Sequence, residues 1–423
     1  MTKRKMKDSG CEWLGDIPAL WGIARIGGLY TVRNEKCSDK DFAPLSVTMK
    51  GVVPQLADVA KTDDGDNRKL VRKGDFVINS RSDRRGSCGI SPLDGSVSVI
   101  NTVLKPRGEM DPGYYNWAFH SSEFADEFYA WGHGIVDDLW TTRWSDMKSI
   151  LVARPPLPEQ RKIAAFLDGE CGKIDVLRGK VEKQIAALEE YRKSVITEAV
   201  TKGIKRGRKM KPSGVEWFDT IPTEWSCNRI KFFCYEITDG SHFSPQGHDD
   251  GFPYVTATDV RGVGIDFSKT IKISEEDYQQ LVRSGCSLKK DDVLLVKDGA
   301  TTGRVGYMTD NTPSVALSSV AMLRSKPNCS KFLMYVMMSN AVQEQILLSM
   351  AGSAMPRTTV SKIGGYYVTE PPIPEQREIA AYLDKKCAAI DSMVAKCREE
   401  LNRLAEYKKS LIYEYVTGKK EVA

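Results

Sequence analysis

The sequence predicts an α+β protein with two homologous mixed α/β domains separated by two long helices, which pair as an antiparallel coiled coil with pseudo-two-fold symmetry. Two repeated segments support this prediction. PPLPEQRKIAAFLD, from Pro155, returns as PPIPEQREIAAYLD from Pro371, an offset of 216 residues. EWLGDIPALW, from Glu12, returns as EWFDTIPTEW from Glu216, an offset of 204. Solenoid repeats span only about 20–50 residues. Offsets of 216 and 204 residues therefore indicate two related domains.

The repeats divide the chain into four predicted regions. These are a first mixed domain, a central helical region, a second mixed domain and a C-terminal helical region, at residues 1–153, 154–206, 207–369 and 370–423. In the mixed domains, the apolar runs 75–79 and 292–296 indicate strands, each followed by a polar loop that contains glycine. The triplets 73–75 and 289–291 lie 216 residues apart, which places the two loops at corresponding positions.

A helical region is predicted after each mixed domain. The Pro-Pro-x-Pro-Glu-Gln entry suits a helix start, because proline needs no donor there and an acidic residue complements the helix dipole. In the first copy we expect a short amphipathic helix over 159–167 and then a long helix over 173–201. The long helices carry a heptad-like apolar seam, formed by Ile174, Leu177, Val181, Leu188, Tyr191 and Val195 and by Ile390, Met393, Cys397, Leu404, Tyr407 and Leu411.

Chain connectivity sets the direction of these helices. The first long helix enters the second mixed domain by its C-terminus, and the second long helix leaves that domain by its N-terminus. Packed seams must therefore run antiparallel, and about 30 residues give a rod of roughly 45 Å with a mixed domain at each end. That length is on the order of one turn of B-DNA, about 34–36 Å.

Composition and cysteine usage narrow the class of protein. A chain of 423 residues with 41% hydrophobic and 28% charged residues has an ordinary globular composition. Ten cysteines without a Cys-x-x-Cys pair favour a reducing, cytoplasmic location over a zinc ribbon or a disulfide framework. The sequence predicts neither a membrane span nor a signal peptide. A net charge of +5 permits a polyanionic partner without requiring one.

The repeated PEQR segments admit a catalytic and a structural interpretation. Duplication at equivalent helix starts favours the structural one, in which each segment is a packing corner and the glutamines hydrogen-bond backbone or a partner. The residues concerned are Glu159, Gln160 and Arg161, and Glu375, Gln376 and Arg377.

The loops at 80–89 and 297–306 are candidate nucleic-acid contacts, with an ordinary solvated turn as the equal alternative for any single residue. Basic and hydroxyl side chains beside glycine suit contacts to phosphates and base edges. The candidates are Arg81, Arg84, Arg85 and Arg143 in the first domain, and His242, Lys297, Thr301, Thr302, Arg304 and Arg357 in the second. His242 and His248 lack the further ligands of a metal site, so no metal is predicted.

Sequence motifs of catalysis are absent. The chain has no phosphate-binding G-x-x-x-x-G-K-[ST] loop, no G-x-G-x-x-G after a strand, no H-E-x-x-H and no G-x-S-x-G. It also lacks the Asn/Asp-Pro-Pro-aromatic tetrapeptide of amino-methylating enzymes. Two similar domains without a catalytic centre favour a recognition subunit.

In this combination and order, the residues resemble the specificity (S) subunits of type I restriction-modification systems. The resemblance rests on the paired PEQR segments, the Trp-containing openings, the helix positions Ile174/Ile390 and Tyr191/Tyr407, and the run EITDGSHFSPQGH followed by DVLLVKDGATTGRVG. The first domain departs from this pattern, because it lacks an equivalent of Asp239-Gly240-Ser241-His242. Contacts inferred for the second domain therefore do not transfer to the first.

The resemblance implies two target recognition domains, each of which reads one half of a bipartite, asymmetric site in double-stranded DNA. The helices would set the spacer and dock two methylation subunits, which carry S-adenosylmethionine and modify adenine. Restriction subunits, which use ATP and Mg²⁺, would join the same assembly. The chain itself would be non-catalytic and hold no cofactor. The alternatives are an unfamiliar nuclease or methyltransferase, and a scaffold whose mixed domains bind peptides.

Overall fold

The computed structural model describes residues 4–56, 65–81, 84–134, 140–326, 329–350 and 356–422. The chain separates into two compact units. Unit 1 comprises Met1–Glu182 and Glu399–Ala423, and unit 2 comprises Lys183–Arg398. Each predicted mixed domain thus shares its unit with parts of both helical regions.

Unit 1 is built from short antiparallel strands and short helices. Its strands are β1 (Met6–Asp8), β2 (Asp16–Pro18), β3 (Gly22–Arg25), β4 (Tyr30–Val32), β5 (Lys36–Cys37), β6 (Leu45–Thr48), β7 (Gly51–Pro54), β8 (Arg68–Val71), β9 (Phe76–Asn79), β10 (Cys88–Ile90), β11 (Gly95–Ser98), β12 (Asn101–Pro106) and β13 (Leu151–Arg154). Its short helices are α1 (Ile26–Leu29), α2 (Pro112–Phe119), α3 (Ser122–Ala130) and α4 (Trp144–Met147), and the long α5 (Leu157–Lys202) follows.

Unit 2 also consists of short strands and short helices, and one of its strand pairs is parallel. Its strands are β14 (Met210–Val215), β15 (Phe218–Pro222), β16 (Ser226–Arg229), β17 (Cys234–Asp239), β18 (Phe252–Val255), β19 (Ile271–Ile273), β20 (Val293–Val296), β21 (Val305–Tyr307), β22 (Val315–Ala316), β23 (Val320–Ser325) and β24 (Tyr367–Glu370). Its short helices are α6 (Ile230–Phe233), α7 (Glu275–Arg283), α8 (Ser330–Met338), α9 (Asn340–Ser349) and α10 (Val360–Gly365), and the long α11 (Ile373–Val416) follows.

The strand order of the two units agrees with the duplication of the sequence. The central sheet of unit 1 has the order β10-β9-β12-β4, and that of unit 2 has the matching order β21-β20-β23-β17. In each unit, the third strand pairs antiparallel with the strand that precedes the long helix, as β3 with β13 and β16 with β24. A mixed α/β fold is therefore established for each unit, whereas pseudo-two-fold symmetry between the units stays a prediction.

Each helical region forms one continuous helix, so the prediction of a short helix followed by a separate long one is wrong. α5 has 46 residues and α11 has 44. α5 continues through Gly169 and Gly172, although each glycine costs about 0.5–1 kcal/mol relative to alanine. Burial of Leu167 and Cys171, which are 0% and 1% exposed, offsets that cost. At 1.5 Å per residue α5 is about 69 Å long, longer than the predicted rod.

Within each unit, segments of the two long helices run antiparallel. In unit 1, Lys408 Nζ of α11 lies 2.7 Å from the Asp175 carboxylate of α5, and the rings of Phe166 and Tyr415 pack at 4.4 Å. The later residue of one helix thus meets the earlier residue of the other. In unit 2, the ion pairs Arg192–Asp391 and Arg398–Glu189, both at 3.3 Å, show the same direction.

The buried seam differs from the predicted one at four positions. Ile174, Val181, Val195 and their equivalents Ile390, Cys397 and Leu411 are buried as predicted. Four predicted members are exposed instead: Leu177 (48%), Tyr191 (51%), Met393 (45%) and Tyr407 (56%). The buried residues Ile174, Val181 and Val195 are separated by multiples of seven residues and form one stripe along the helix. Leu177 and Tyr191 lie outside that stripe. None of the described helices is long and apolar enough to cross a membrane.

Candidate nucleic-acid interface

The first PEQR segment is a packing corner of unit 1. The carboxylate of Glu159 accepts hydrogen bonds from Trp21 Nε1 at 2.8 Å and from Arg4 Nη2 at 2.5 Å. The Gln160 amide donates to the backbone carbonyl of Pro155 at 2.8 Å. Because Trp21 belongs to the repeated opening of the domain and is 1% exposed, this carboxylate joins the start of the mixed domain to the start of α5.

The second PEQR segment repeats these contacts in unit 2. Glu375 accepts from Trp225 Nε1 at 3.0 Å and from Arg208 Nη2 at 3.2 Å, and Gln376 donates to the carbonyl of Pro371 at 2.8 Å. These contacts favour the structural interpretation over the catalytic one. Both glutamines bond backbone, as predicted, whereas Arg161 and Arg377 are exposed.

The arginine at each corner escaped the sequence prediction. Arg4 lies 5.2 Å from the Trp21 ring and Arg208 5.6 Å from the Trp225 ring, distances that suit a cation–π contact. The signal was present, because RKMKDSG from Arg4 returns as RKMKPSG from Arg208 with the offset of 204. Basic residues near an N-terminus more often form a solvated run of charges, so Arg4 was not singled out.

The two candidate loops occupy corresponding positions, but their predicted register was wrong by one residue. In each unit, a backbone amide three residues earlier donates to the carboxylate of Asp75 at 2.8 Å or of Asp292 at 2.9 Å. The residue before each aspartate is left-handed, with φ of +91° at Gly74 and +72° at Asp291. Asp75 therefore matches Asp292, an offset of 217 where the sequence suggested 216. Burial raises the pKa of the Asp292 carboxyl, and hydrogen bonds from Arg324 oppose this shift.

The corrected register changes which side chains are equivalent. Asn79 N donates to Ser87 O and Val296 N to Arg304 O, both at 2.9 Å, so Arg304 corresponds to Ser87. Arg84 then corresponds to Thr301, and Arg81 to Asp298. The backbone agrees, because Arg81 bridges to Thr141 as Asp298 bridges to Arg357.

The candidate surface of unit 1 is a group of exposed arginines, Arg81, Arg84, Arg85 and Arg143. Arg85 is held in place, since its guanidinium lies 3.8 Å from the Tyr129 ring centroid and its Nη1 is 3.0 Å from Asp126 Oδ1. Arg143 precedes α4 at the end of the segment that pairs with the loop. The structure therefore brings the four predicted arginines to the loop and its neighbouring segment.

The candidate surface of unit 2 is a charge network of Asp239, His242, Lys297, Asp298 and Arg357. The Lys297 ammonium lies 2.7 Å from Asp298 Oδ2 and 3.3 Å from Asp239 Oδ2. His242 Nε2 is 3.6 Å from Asp239, and Arg357 Nε is 2.9 Å from Asp298 Oδ1. Three predicted residues thus meet through two aspartates that the sequence did not single out.

The predicted residues of unit 2 differ in exposure, and their roles differ accordingly. The Lys297 side chain is 3% exposed, so its charge holds the two carboxylates instead of facing solvent as the prediction assumed. Thr302 Oγ1 donates to the carbonyls of Gly299 at 2.7 Å and Pro356 at 3.1 Å, which fixes the loop. Arg304 is exposed and Thr301 half-buried.

The Asp-Gly-x-His segment of the second domain needs a glycine at position 240. A Cβ at Gly240 would lie 2.0 Å from the carbonyl oxygen of Ala316, so only glycine allows this close approach. The approach is fixed by a hydrogen bond from Ser241 N to Ala316 O at 2.7 Å, and it sets Asp239 beside Lys297. In the described ranges, no group of three His, Cys, Asp or Glu side chains is placed to hold a metal ion.

Comparison with known proteins agrees with the sequence resemblance. Residues 239–403 match the type I restriction modification DNA specificity domain. The chain is 25% identical over 282 residues to the type I restriction enzyme MjaVIII specificity subunit of Methanocaldococcus jannaschii, a match that covers 64% of this chain and 62% of that protein. It is 25% identical over 287 residues to the EcoBI specificity subunit of Escherichia coli, covering 64% and 59%. The matches span about three fifths of these relatives' length.

A solved structure shares the fold over nearly the whole chain. It describes complex assembly and conformational transition of the type I R-M system, and the superposition gives a TM-score of 0.70 at 15% identity, covering 95% of this chain and 98% of that one. At this identity the likeness concerns the fold alone.

Proposed function

From the type I specificity domain at residues 239–403, we propose that this chain is a DNA sequence-recognition subunit of a type I restriction-modification system. The domain match carries the proposal, because it includes the charge network and the loop of unit 2. Each mixed domain would read one half of a bipartite, asymmetric site in double-stranded DNA. The four regions at 1–153, 154–206, 207–369 and 370–423 would serve as recognition domain and helical region in turn.

The two loops support reading of unequal half-sites. Their backbones are held by equivalent hydrogen bonds, from Asn79 and from Val296, so each domain presents side chains from the same frame. The side chains differ in chemistry, with exposed arginines in unit 1 and a charge network in unit 2. Donor and acceptor groups of different kinds distinguish different base edges in the major groove.

Exposed apolar side chains on the long helices support docking of partner subunits. Leu177 and Tyr407 are exposed in unit 1, and Tyr191 and Met393 in unit 2. In each unit, one such side chain comes from α5 and the other from α11, at positions beside the buried seam. Two copies of a methylation subunit, one for each pair, would cover these side chains.

The chemistry would then reside in the partners. Methylation subunits would carry S-adenosylmethionine and modify adenine, and restriction subunits would use ATP and Mg²⁺. This chain would bind no cofactor and catalyse no reaction. Its helices would set the spacer between half-sites and relate the domains by a pseudo-two-fold axis.

The experiment is to change the helices and read the methylated sequence. Seven residues would be inserted into α5 and seven into α11 at equivalent seam positions, which lengthens each helix by about 10 Å. Mapping of methylated adenine in a host that expresses the complex should show both half-sites unchanged and a spacer longer by about three base pairs, at 3.4 Å each. Footprints should show two protected half-sites.

A control insertion of the same length would follow Gly207, in the turn after α5, where φ is +71°. It should leave the spacer as it is. A single contiguous footprint, or altered half-sites with an unaltered spacer, would contradict the proposal.

A further inference from the structure

Arg357 is held against the loop of unit 2 by backbone contacts on both sides. Its backbone bridges to Asp298. Gly299 N donates to the carbonyl of Pro356 at 3.0 Å, and Thr358 N donates to that of Lys297 at 2.9 Å. The Cα position of Arg357 is thus fixed, while its side chain is 60% exposed.

The guanidinium of Arg357 is held by a second, electrostatic constraint. Its Nε lies 2.9 Å from Asp298 Oδ1, as an ion pair and not a linear hydrogen bond, since Oδ1 accepts no hydrogen bond within the described chain. The other oxygen of Asp298 is paired with the buried ammonium of Lys297. A buried ammonium is stable only when it is paired, so Lys297 keeps the Asp298 carboxylate in place beneath the arginine.

This arrangement leaves one edge of the guanidinium available. In the described ranges no hydrogen bond joins Nη1 or Nη2 of Arg357 to another residue, and its closest approach to Asp298 is through Nε. Two parallel N–H groups match the O6 and N7 acceptors of guanine, the commonest specific contact in the major groove. An arginine whose Nε is pinned presents that fork with little orientational freedom left to lose.

The charge balance argues for reading over simple phosphate attraction. Two carboxylates, Asp239 and Asp298, face two cations, Lys297 and Arg357, within ion-pair distance. Their formal charges cancel, so the network attracts a polyanion weakly. A geometric contact to a base edge therefore suits it better than a contact to phosphate.

Resting on the proposed function, we propose that Arg357 reads a guanine in the half-site of unit 2. Asp298 is a positioning residue that aims the guanidinium, and Lys297 holds Asp298. Unit 1 lacks the device, because Ser80, Arg81 and Thr141 occupy the places of Lys297, Asp298 and Arg357. Among the described residues, an arginine held by this pair of side chains occurs in unit 2 alone.

The test measures affinity of the full-length chain, purified with its methylation partner, for duplexes that contain the mapped methylation motif. 7-Deazaguanine, which lacks the N7 acceptor, replaces each guanine of the half-site in turn. Arg357→Ala should lower affinity by about 5- to 150-fold, the equivalent of about 1–3 kcal/mol for a bidentate contact. At one guanine, 7-deazaguanine should weaken binding by the wild type and leave the affinity of Arg357→Ala unchanged.

Companion variants separate positioning from folding. Asp298→Asn should relax the same base position, and Lys297 keeps Asp239 as its partner in this variant. Arg357→Lys should not restore the preference, because an ammonium lacks the fork. Arg283→Ala, an exposed arginine at the end of α7, is the matched control and should bind as the wild type does.

Three outcomes would overturn the inference. Equal weakening by Arg357→Ala at every sequence, with a salt slope smaller by about one, would make Arg357 a phosphate contact. Unchanged binding would place it outside the interface. In both cases the wild type still discriminates sequences and the proposed function stands. A wild-type complex without any sequence preference would instead overturn the proposed function and this inference with it.

Discussion

Replacing Glu375 with alanine is expected to destabilise unit 2 more than the equivalent change at Glu159 destabilises unit 1. Each carboxylate accepts hydrogen bonds from a buried tryptophan and from an arginine. Their burial differs, since the side chain of Glu375 is 8% exposed and that of Glu159 is 25% exposed. Removal of Glu375 therefore leaves the Trp225 N–H without its acceptor in a drier environment, and it leaves the Arg208 guanidinium with only the exposed Glu224 carboxylate, at 3.1 Å.

The burial sets the expected magnitudes. Breaking a buried charge pair by removing one partner costs about 3–5 kcal/mol, which is the upper range for Glu375→Ala because Glu224 still pairs with Arg208. Loss of hydrogen bonds to a charged, partly solvated group costs about 1.5–3 kcal/mol, the range expected for Glu159→Ala. For units of this size, about 2–4 °C of melting temperature per kcal/mol gives a drop of roughly 6–20 °C for Glu375→Ala and roughly 3–12 °C for Glu159→Ala.

The assay is thermal unfolding of the full-length chain, followed by calorimetry. Glu375→Gln, which keeps one acceptor for the Trp225 N–H, should fall between the wild type and Glu375→Ala. Glu378→Ala is the control on the same helix. The Glu378 side chain is 53% exposed, and its ion pair with the exposed Lys205, at 3.5 Å, contributes little to stability. A melting temperature of Glu375→Ala equal to that of the control would refute the packing-corner assignment, as would a larger loss at Glu159.

Two further predictions concern the surfaces. Arg84→Ala and Arg304→Ala should each weaken DNA binding while the opposite half-site keeps its preference: a base contact costs about 1–3 kcal/mol at one position, and a phosphate contact lowers the salt slope by about one. A double variant with unchanged affinity and unchanged salt slope would make these loops ordinary turns. Tyr407→Glu and Met393→Glu should each prevent one methylation subunit from co-purifying without lowering the melting temperature, because both side chains are exposed. Recovery of two copies with the double variant would contradict this docking surface.

The sequence predicted the structural corners because their residues recur as a set. Glu159 and Glu375 lie 216 residues apart, and a duplicated helix start is hard to reconcile with a single catalytic centre. The contact of each carboxylate to Trp21 or Trp225 was not predicted, since it joins two repeats whose offsets, 216 and 204, differ. Only the fold brings the two repeated segments together.

Two predictions about the long helices were wrong because they relied on local sequence, whereas tertiary packing determines the structure. The sequence predicted a break between residues 167 and 173, a stretch that contains Gly169 and Gly172, yet packing of the neighbouring Leu167 and Cys171 accompanies a continuous helix. Tyr191 looked like a seam residue because it is aromatic and close to the heptad period. A residue one position away from the buried stripe faces outward. The spacing of apolar residues in one sequence does not distinguish such a residue from a buried one.

In the two candidate loops, the backbone frame was easier to predict than the side chains proposed to contact DNA. The frame is made of backbone hydrogen bonds and buried strands, so it survives exchange of Ser80 for Lys297 and of Arg81 for Asp298 at matched positions. In unit 1 the candidate arginines are exposed, so exchanging one of them costs little stability. In unit 2 the ammonium of Lys297 is buried against Asp239 and Asp298, and loss of both carboxylates would leave a buried charge unpaired. Recognition in that half is therefore coupled to the stability of its core, and a new base preference there requires the network to change as a set.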